Sequence, residues 1–287
     1  MEKIKNKNTF RLFNYKWKKV PDWGIKTEKI YVNWYLKRYG FKNIASLKKF
    51  LKTKNNIFDA GCGVGRDTKL FAKLAPKSNI FACDQSTHAL KEVRKNLGKL
   101  KNVKIFKADI TKKIKKKEKF DFISCDQVLH HTPNPGQTLK NLYSSLKVGG
   151  YLNFFVCRKK NAYRDFVDDH LMDYFQNKSP KELWEFSKIV TNFGKALYDL
   201  KILNVKFNNK KYSNIQLFIH NQIFRCWYNP NIDLKLSISS NYDWFSNNPR
   251  YNTYEIKKIL KNSLKNYKII NTFNDDASVS IQIKKLK

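Results

Sequence analysis

Two hydrophobic periods alternate along most of the chain, and their order predicts the architecture. Short apolar runs that read as strands stand at Asn56-Ile-Phe-Asp59, Asn79-Ile-Phe-Ala-Cys-Asp84, Val103-Lys-Ile-Phe-Lys107, Phe120-Asp-Phe-Ile-Ser-Cys125 and Tyr151-Leu-Asn-Phe-Phe-Val-Cys157. Helical spacing fills the gaps at about 66–75, from a Ser86 cap to Leu97, and at about 136–147. Strands alternating with helices predict a mostly parallel sheet with helices on both faces. The pattern breaks over residues 158–249, which read as helical near 166–175 and 182–203 and then as loop-rich and aromatic. It returns with a helix at about 252–265 and strands at 267–273 and 278–283, which Asn274-Asp-Asp-Ala joins as an antiparallel hairpin at the sheet edge. At the other end, an irregular aromatic arm precedes a helix from Thr27 to Tyr39, stopped by Gly40. The chain therefore divides into an arm and helix (1–42), a core (43–158 and 252–287) and an insertion (159–251).

Composition changes this picture little. Hydrophobic residues make up 41% and aromatic residues 15%, enough to bury a sizeable core. The net charge of +35 suggests an anionic partner. Yet of 58 basic residues only eight are Arg, and Arg carries most bidentate contacts to phosphates and bases. With abundant Asn, Ile, Phe and Tyr, the Lys excess reads as a nucleotide bias that yields a solvated Lys-rich surface. A nucleic-acid partner is thereby disfavoured, and an RNA-modifying role is kept as an alternative. The five cysteines contain no C-x-x-C pair and suggest neither a metal site nor a disulfide framework. No apolar run approaches a membrane span, so a cytoplasmic setting is expected.

Four short segments carry candidate chemistry. Asp59-Ala-Gly61-Cys62-Gly63-Val-Gly65 lies between the first strand and its helix, where open α/β sheets bind ligands. Position 66 is Arg, so the spacing departs from the G-x-G-x-x-G of dinucleotide folds. Asp59 repels phosphate and suits a cationic amino acid and sulfonium. Asp84 closes the second strand, with Gln85 beside it, and can accept both hydroxyls of a ribose. Asp109, just after the third strand and followed by Ile110, can accept an exocyclic adenine amine. The fourth segment, Asp126-Gln127-Val-Leu-His130-His131-Thr-Pro, follows the fourth strand. Taken singly, Asp84 and Asp109 are equally well read as turn or cap residues. Their order after successive strands makes a shared ligand site the better reading.

These segments resemble the class I S-adenosylmethionine-dependent methyltransferases, and the Val-Leu-His-His-Thr-Pro-Asn-Pro run is similar to the branch with ubiquinone- and menaquinone-type enzymes. The likeness covers about 43–157 and, more weakly, 252–287. It implies an α/β, Rossmann-like, doubly wound, seven-stranded sheet with an inserted helical and aromatic lid. It implies that Gly61, Cys62, Gly63 and Gly65 line the methionine and ribose. Asp59 would hold the amino group, Asp84 and Gln85 the ribose, Asp109 and Ile110 the adenine, and Asp126 and Gln127 the transfer site. The donor would be S-adenosylmethionine, leaving as S-adenosylhomocysteine, with no metal. His130 and His131 are candidates for a base; each is as readily a packing residue. Recognition of a small-molecule acceptor is expected in the insertion, with Arg158, Tyr242, Trp244 and Arg250 as candidates. Arg164, Asp165, Asp168, Asp169 and His170 read as a solvated helix face with intrahelical ion pairs. A non-catalytic cofactor-binding scaffold is the third reading.

Overall fold

Strand β1 (Asn56–Ala60) is apolar on both faces, and so are its neighbours, as a strand covered by helices on both sides requires. The computed structural model describes residues 2–115, 119–246 and 249–287, with side chains from Thr9 onward except at 25 and 29. Positions 116–118 of the Lys-rich segment 112–119, which reads as a solvated loop, lie outside the described residues, as do positions 247–248.

β1 pairs in parallel with β2 (Asn79–Asp84) and β4 (Phe120–Cys125), and β2 pairs with β3 (Val103–Lys107). Beyond β4 come β5 (Leu146–Cys157), then β9 (Ser278–Lys285) and β8 (Tyr267–Asn274), giving the order β3-β2-β1-β4-β5-β9-β8. β9 runs antiparallel to both β5 and β8, so the terminal hairpin closes one edge. The helices follow the apolar periodicity. α5 (Arg66–Leu74) buries Leu70, Phe71 and Leu74. α6 (Thr87–Leu97) buries Ala89, Leu90, Val93 and Leu97, and its Ser86 cap accepts the Ala89 N–H. α7 (Pro135–Ser144) starts at an Asn134 cap with proline in its first turn. α12 (Thr253–Ser263) starts with a capping box between Asn252 and Glu255.

The structure revises four expectations. The arm is helical: α1 (Glu2–Lys19), a short turn α2 (Trp23–Lys26), then α3 (Glu28–Arg38) and α4 (Ile44–Lys52). Phe10, Phe13 and Trp17 already stood at helical spacing, but the polar residues among them, Arg11, Asn14 and Lys16, hid the period. β5 begins at Leu146 rather than Tyr151, because Gly149 at φ +77° bends the strand without ending it. Residues 203–214 form a hairpin, β6 (Leu203–Phe207) with β7 (Lys210–Asn214). Its two-residue turn, Asn208-Asn209, has both φ positive, at 44° and 60°. The stretch read as loop-rich contains α10 (Ile215–Gln222) and α11 (Leu234–Phe245).

The chain separates into two compact units, Met1–Arg158 with Pro249–Lys287, and Lys159–Asn248. The first holds the sheet and the N-terminal helices. The second holds α8 (Ala162–Phe175), α9 (Pro180–Asp199), the β6–β7 hairpin, α10 and α11. Among the described residues no helix is long and apolar enough to cross a membrane. All five cysteines are buried and unbridged.

Candidate active site

The turn after β1 is built by backbone bonds to the neighbouring strand. The N–H groups of Gly61 and Cys62 both donate to the Cys83 carbonyl, at 2.9 and 2.8 Å, pinning the turn to the end of β2. Gly61 stands at φ +84° and Gly63 at +53°. Both lie in the left-handed region that disfavours side chains. A Cβ at Gly61 would come within 2.6 Å of Val128 Cγ1, and one at Gly63 within 2.8 Å of Trp17 Cζ2. The loop after β4 and the N-terminal helix thus roof the turn from two sides. Cys62 is buried beneath it, and burial pushes its thiol well above the usual range, so the sulfur stays protonated.

Asp84 reaches across from β2. Its Oδ2 accepts the Gly63 N–H at 2.9 Å and its Oδ1 the Ser86 N–H at 2.7 Å. Burial raises its pKa, against these amide donors. Each oxygen has lone-pair capacity beyond its amide, which suits a vicinal diol. Gln85 is half-buried beside it. Asp109 accepts from both the N–H and the hydroxyl of Thr111, at 2.9 and 2.6 Å, in a turn that also places buried Ile110. The turn-forming and ligand-facing readings of Asp84 and Asp109 are therefore compatible, since backbone bonds fix the carboxylates in place.

Asp59 lies inside the sheet, 4% exposed, and its Oδ2 accepts the Thr68 hydroxyl at 2.6 Å. Burial, then the neighbouring charge of Asp67, raises its pKa to about 8. The folded chain thus holds a proton that the unfolded chain releases near pH ~4. Between those values the folded form binds more protons, so stability falls as pH rises through about 8. The unfolding midpoint is expected to climb as pH is lowered from ~8 to ~6, and Asp59→Asn to flatten that slope. An unchanged slope in urea titrations of the variant would assign it to other groups.

Asp126 is held by Gln127 and by three residues, Arg38, Tyr39 and Arg66, that the sequence did not place in the site. Arg66 donates to it at 2.9 Å, the Tyr39 hydroxyl at 2.8 Å and Gln127 Nε2 at 3.0 Å, and Arg38 stands 3.5 Å away. Burial alone would raise its pKa; Arg38 and Arg66 outweigh that and lower it. Arg66 also grips Asp67 through two bonds of 2.6 and 2.7 Å and lies over the rings of Trp23 and Tyr31. The signal available in sequence was the Arg at position 66 alone. Gln127 follows at φ +59°, turning the chain out of β4. His130 and His131 are both buried, their rings 4.0 Å apart. His130 Nδ1 lies 3.4 Å from the Phe155 carbonyl, and His131 packs edge-on against Phe13 of α1 at 4.6 Å. Among the described residues no group of three side chains could hold a metal ion.

The acceptor candidates divide between the two units, Arg158 and Arg250 in the first and Tyr242 and Trp244 in the second. Arg158 donates to the Asp275 carbonyl at 2.8 Å, Arg250 is buried, and the bridge between Arg158 and Tyr251 ties the end of β5 to the returning chain. Tyr242 and Trp244 are interior residues of the Lys159–Asn248 unit, 0% and 5% exposed. Tyr242 packs on Trp184, and Trp244 donates to Asp168 Oδ2 at 2.7 Å. The same oxygen accepts from Arg164 at 2.8 Å, and both charged side chains are fully buried. The ion pair has the expected i,i+4 spacing, but on an interior face rather than a solvated one. The indole donor of Trp244 and the packing of α11 account for this, and neither is visible in the α8 sequence. Arg225, also over Trp244, donates to Asn241, which in turn bonds Thr191.

The sheet order, the glycine turn after β1 and the acids closing β2 and β3 define a Rossmann-like protein of the methyltransferase class. The chain belongs to the methyltransferase-domain family, whose model matches residues 51–220. It is 35% identical over 100 residues to a malonyl-[acyl-carrier protein] O-methyltransferase of Bacillus cereus, covering 34% of this chain and 36% of that one. It is 29% identical over 142 residues to a ubiquinone biosynthesis O-methyltransferase of Coxiella burnetii, covering 49% and 58%. It is 32% identical over 149 residues to a tRNA N(3)-cytidine methyltransferase of Homo sapiens, covering 48% and 49%. The matches thus span between about a third and three-fifths of these relatives, which differ from one another in the acceptor their names give.

Proposed function

We propose that the chain transfers a methyl group from S-adenosylmethionine to a small-molecule acceptor. The observation that carries this reading is Asp84, which anchors the glycine turn through the Gly63 N–H while keeping lone pairs for a ribose diol. Gly61, Gly63 and Gly65 would then face the methionine and ribose, Asp109 and Ile110 the adenine. Gln127, turned outward after β4, would border the transfer site. Asp59 would act beneath the turn, through Thr68 and the backbone rather than as an exposed carboxylate. The donor brings an already activated methyl sulfonium. The chain's own task is to align the acceptor and exclude water. Phe13, Trp17 and Val128 serve the second need by roofing the turn. Where an acceptor requires a base, His131 is the better placed of the pair. It faces α1, whereas His130 points at a strand carbonyl.

Acceptor recognition is proposed to fall to the Lys159–Asn248 unit, the part of the chain that the donor-binding sheet does not need. The net charge of +35 favours a second reading, an RNA acceptor. Titration with S-adenosylmethionine, then transfer of a labelled methyl group into fractions of a cell extract, separates the readings. Label in metabolites supports the first. Label in RNA, with affinity falling steeply with salt, replaces it with the second. Binding without transfer to any fraction leaves a scaffold.

A further inference from the structure

The β6–β7 hairpin is built against its own charge. In its register Lys206 stands directly opposite Lys211, a like-charge pair that costs stability, and Lys210 sits across from Phe207 at the turn. These lysines are exposed, as is Lys201 just before β6. From Leu200 to Ile232 the sequence contains no Asp or Glu, so no carboxylate of this stretch offsets them. The apolar residues among the lysines are exposed as well. Leu200 and Leu203 are 61% and 62% exposed, and Ile202 lies open between them. Phe207 packs edge-on against Phe218 of α10 and still faces outward in part. α9 continues this surface. Ile189, Phe193, Ala196 and Leu200 follow at spacings of four, three and four, one helical stripe, and all four are exposed. Leu200 ends the stripe and opens the approach to the hairpin, and α10 packs against α9 and against both strands.

A partner for this surface must be anionic and must take up aliphatic side chains. A second copy of the chain brings the same lysines and is repelled. A nucleic acid meets the charge, but Leu and Ile offer its bases neither a hydrogen bond nor a ring to stack on. An anionic lipid surface meets both demands. Its acyl boundary takes the apolar side chains and its phosphates attract the ammonium groups. We propose that the β6–β7 hairpin, with the end of α9, docks the chain on an anionic lipid membrane. Leu200, Ile202, Leu203 and Phe207 enter the headgroup boundary, and Lys201, Lys206 and Lys211 lie at the phosphates. The docking is peripheral, since among the described residues no helix is long and apolar enough to span. It relieves the Lys206–Lys211 repulsion, which nothing within the hairpin does. The proposal does not depend on the donor reading given above.

The test is co-sedimentation of the full chain with vesicles of phosphatidylcholine alone and of phosphatidylcholine mixed equally with phosphatidylglycerol. The unaltered chain is expected to bind the mixed vesicles more tightly by at least about tenfold. Lys206→Gln with Lys211→Gln is expected to weaken that binding by about 10- to 30-fold, the effect of two basic residues at an anionic surface. The pair relieves a repulsion in the folded chain, so lost binding is not lost fold. Lys257→Gln with Lys258→Gln removes the same charge from exposed positions of α12 and is expected to change binding by less than about threefold. Leu200→Ser with Leu203→Ser is expected to weaken it by about tenfold. All five native cysteines are buried, so Leu203→Cys can carry a bimane label, which brominated acyl chains are expected to quench. Equal losses from the two lysine pairs would overturn the proposal, reducing the attraction to net charge. Unchanged binding of the leucine variant with an unquenched label would overturn it too, putting an acidic protein or a nucleic acid in place of the lipid. So would an unaltered chain that sediments with neither vesicle.

Discussion

Asp84→Ala is expected to lower the affinity for S-adenosylmethionine by about 100-fold or more, because hydrogen bonds to a charged group contribute roughly 1.5–3 kcal/mol each and a ribose would donate two. A second loss adds to the first. The Asp84 carboxylate also accepts the Gly63 and Ser86 N–H groups, so its removal frees the glycine turn from the end of β2. Asp109→Ala removes bonds local to one turn and is expected to cost less. Calorimetric titration of both variants, with thermal melts to confirm folding, reads the difference. A loss under about threefold for Asp84→Ala would remove this carboxylate from the donor site.

The largest expected effect on stability lies in the other unit. Asp168→Ala leaves the fully buried guanidinium of Arg164 without the carboxylate it donates to, and the Trp244 indole without its acceptor. Breaking a buried pair by removing one partner destabilises by about 3–5 kcal/mol. Hydrogen exchange in α8 and α11 measures this locally, so unfolding of the sheet unit does not obscure it. A loss below about 1 kcal/mol would mean that the pair is solvated in solution. Asp168→Asn keeps an acceptor for the indole and is expected to fall between the two. Neither variant touches the glycine turn, so donor affinity per folded molecule should hold.

Both predictions depend on residues that the sequence makes legible to different degrees. Asp84 could be found by counting: a strand, a glycine turn, a second strand and an acid at its end leave few topologies open. Asp168 could not. Its i,i+4 partner Arg164 is visible, but the same pair suits a solvated face, and only the packing of α11 with Trp244 turns it inward. Asp126 is intermediate. Its position after β4 marked it, while its holders Arg38 and Tyr39 come from the end of α3 and the residue that caps it, nearly ninety residues earlier. Short-range periodicity cannot register such a contact, because the sheet creates it.

The N-terminal arm shows the same limit most plainly. Its aromatic residues were conspicuous, but the lysines between them hid a helix, and nothing local said that the helix would cross the strand ends. Sequence alone determined the strand–helix alternation, the glycine turn and the acids that close the second and third strands. These follow from rules of two to four residues: alternation, helical spacing, caps and turn-formers. Tertiary structure decided which charges are buried together and that α1 roofs the turn, with Trp17 lying on Gly63. The reason is physical. A charge is stable in the interior only if enough polar partners meet it, and for Asp126 and Asp168 some of those partners come from segments that only the fold brings near.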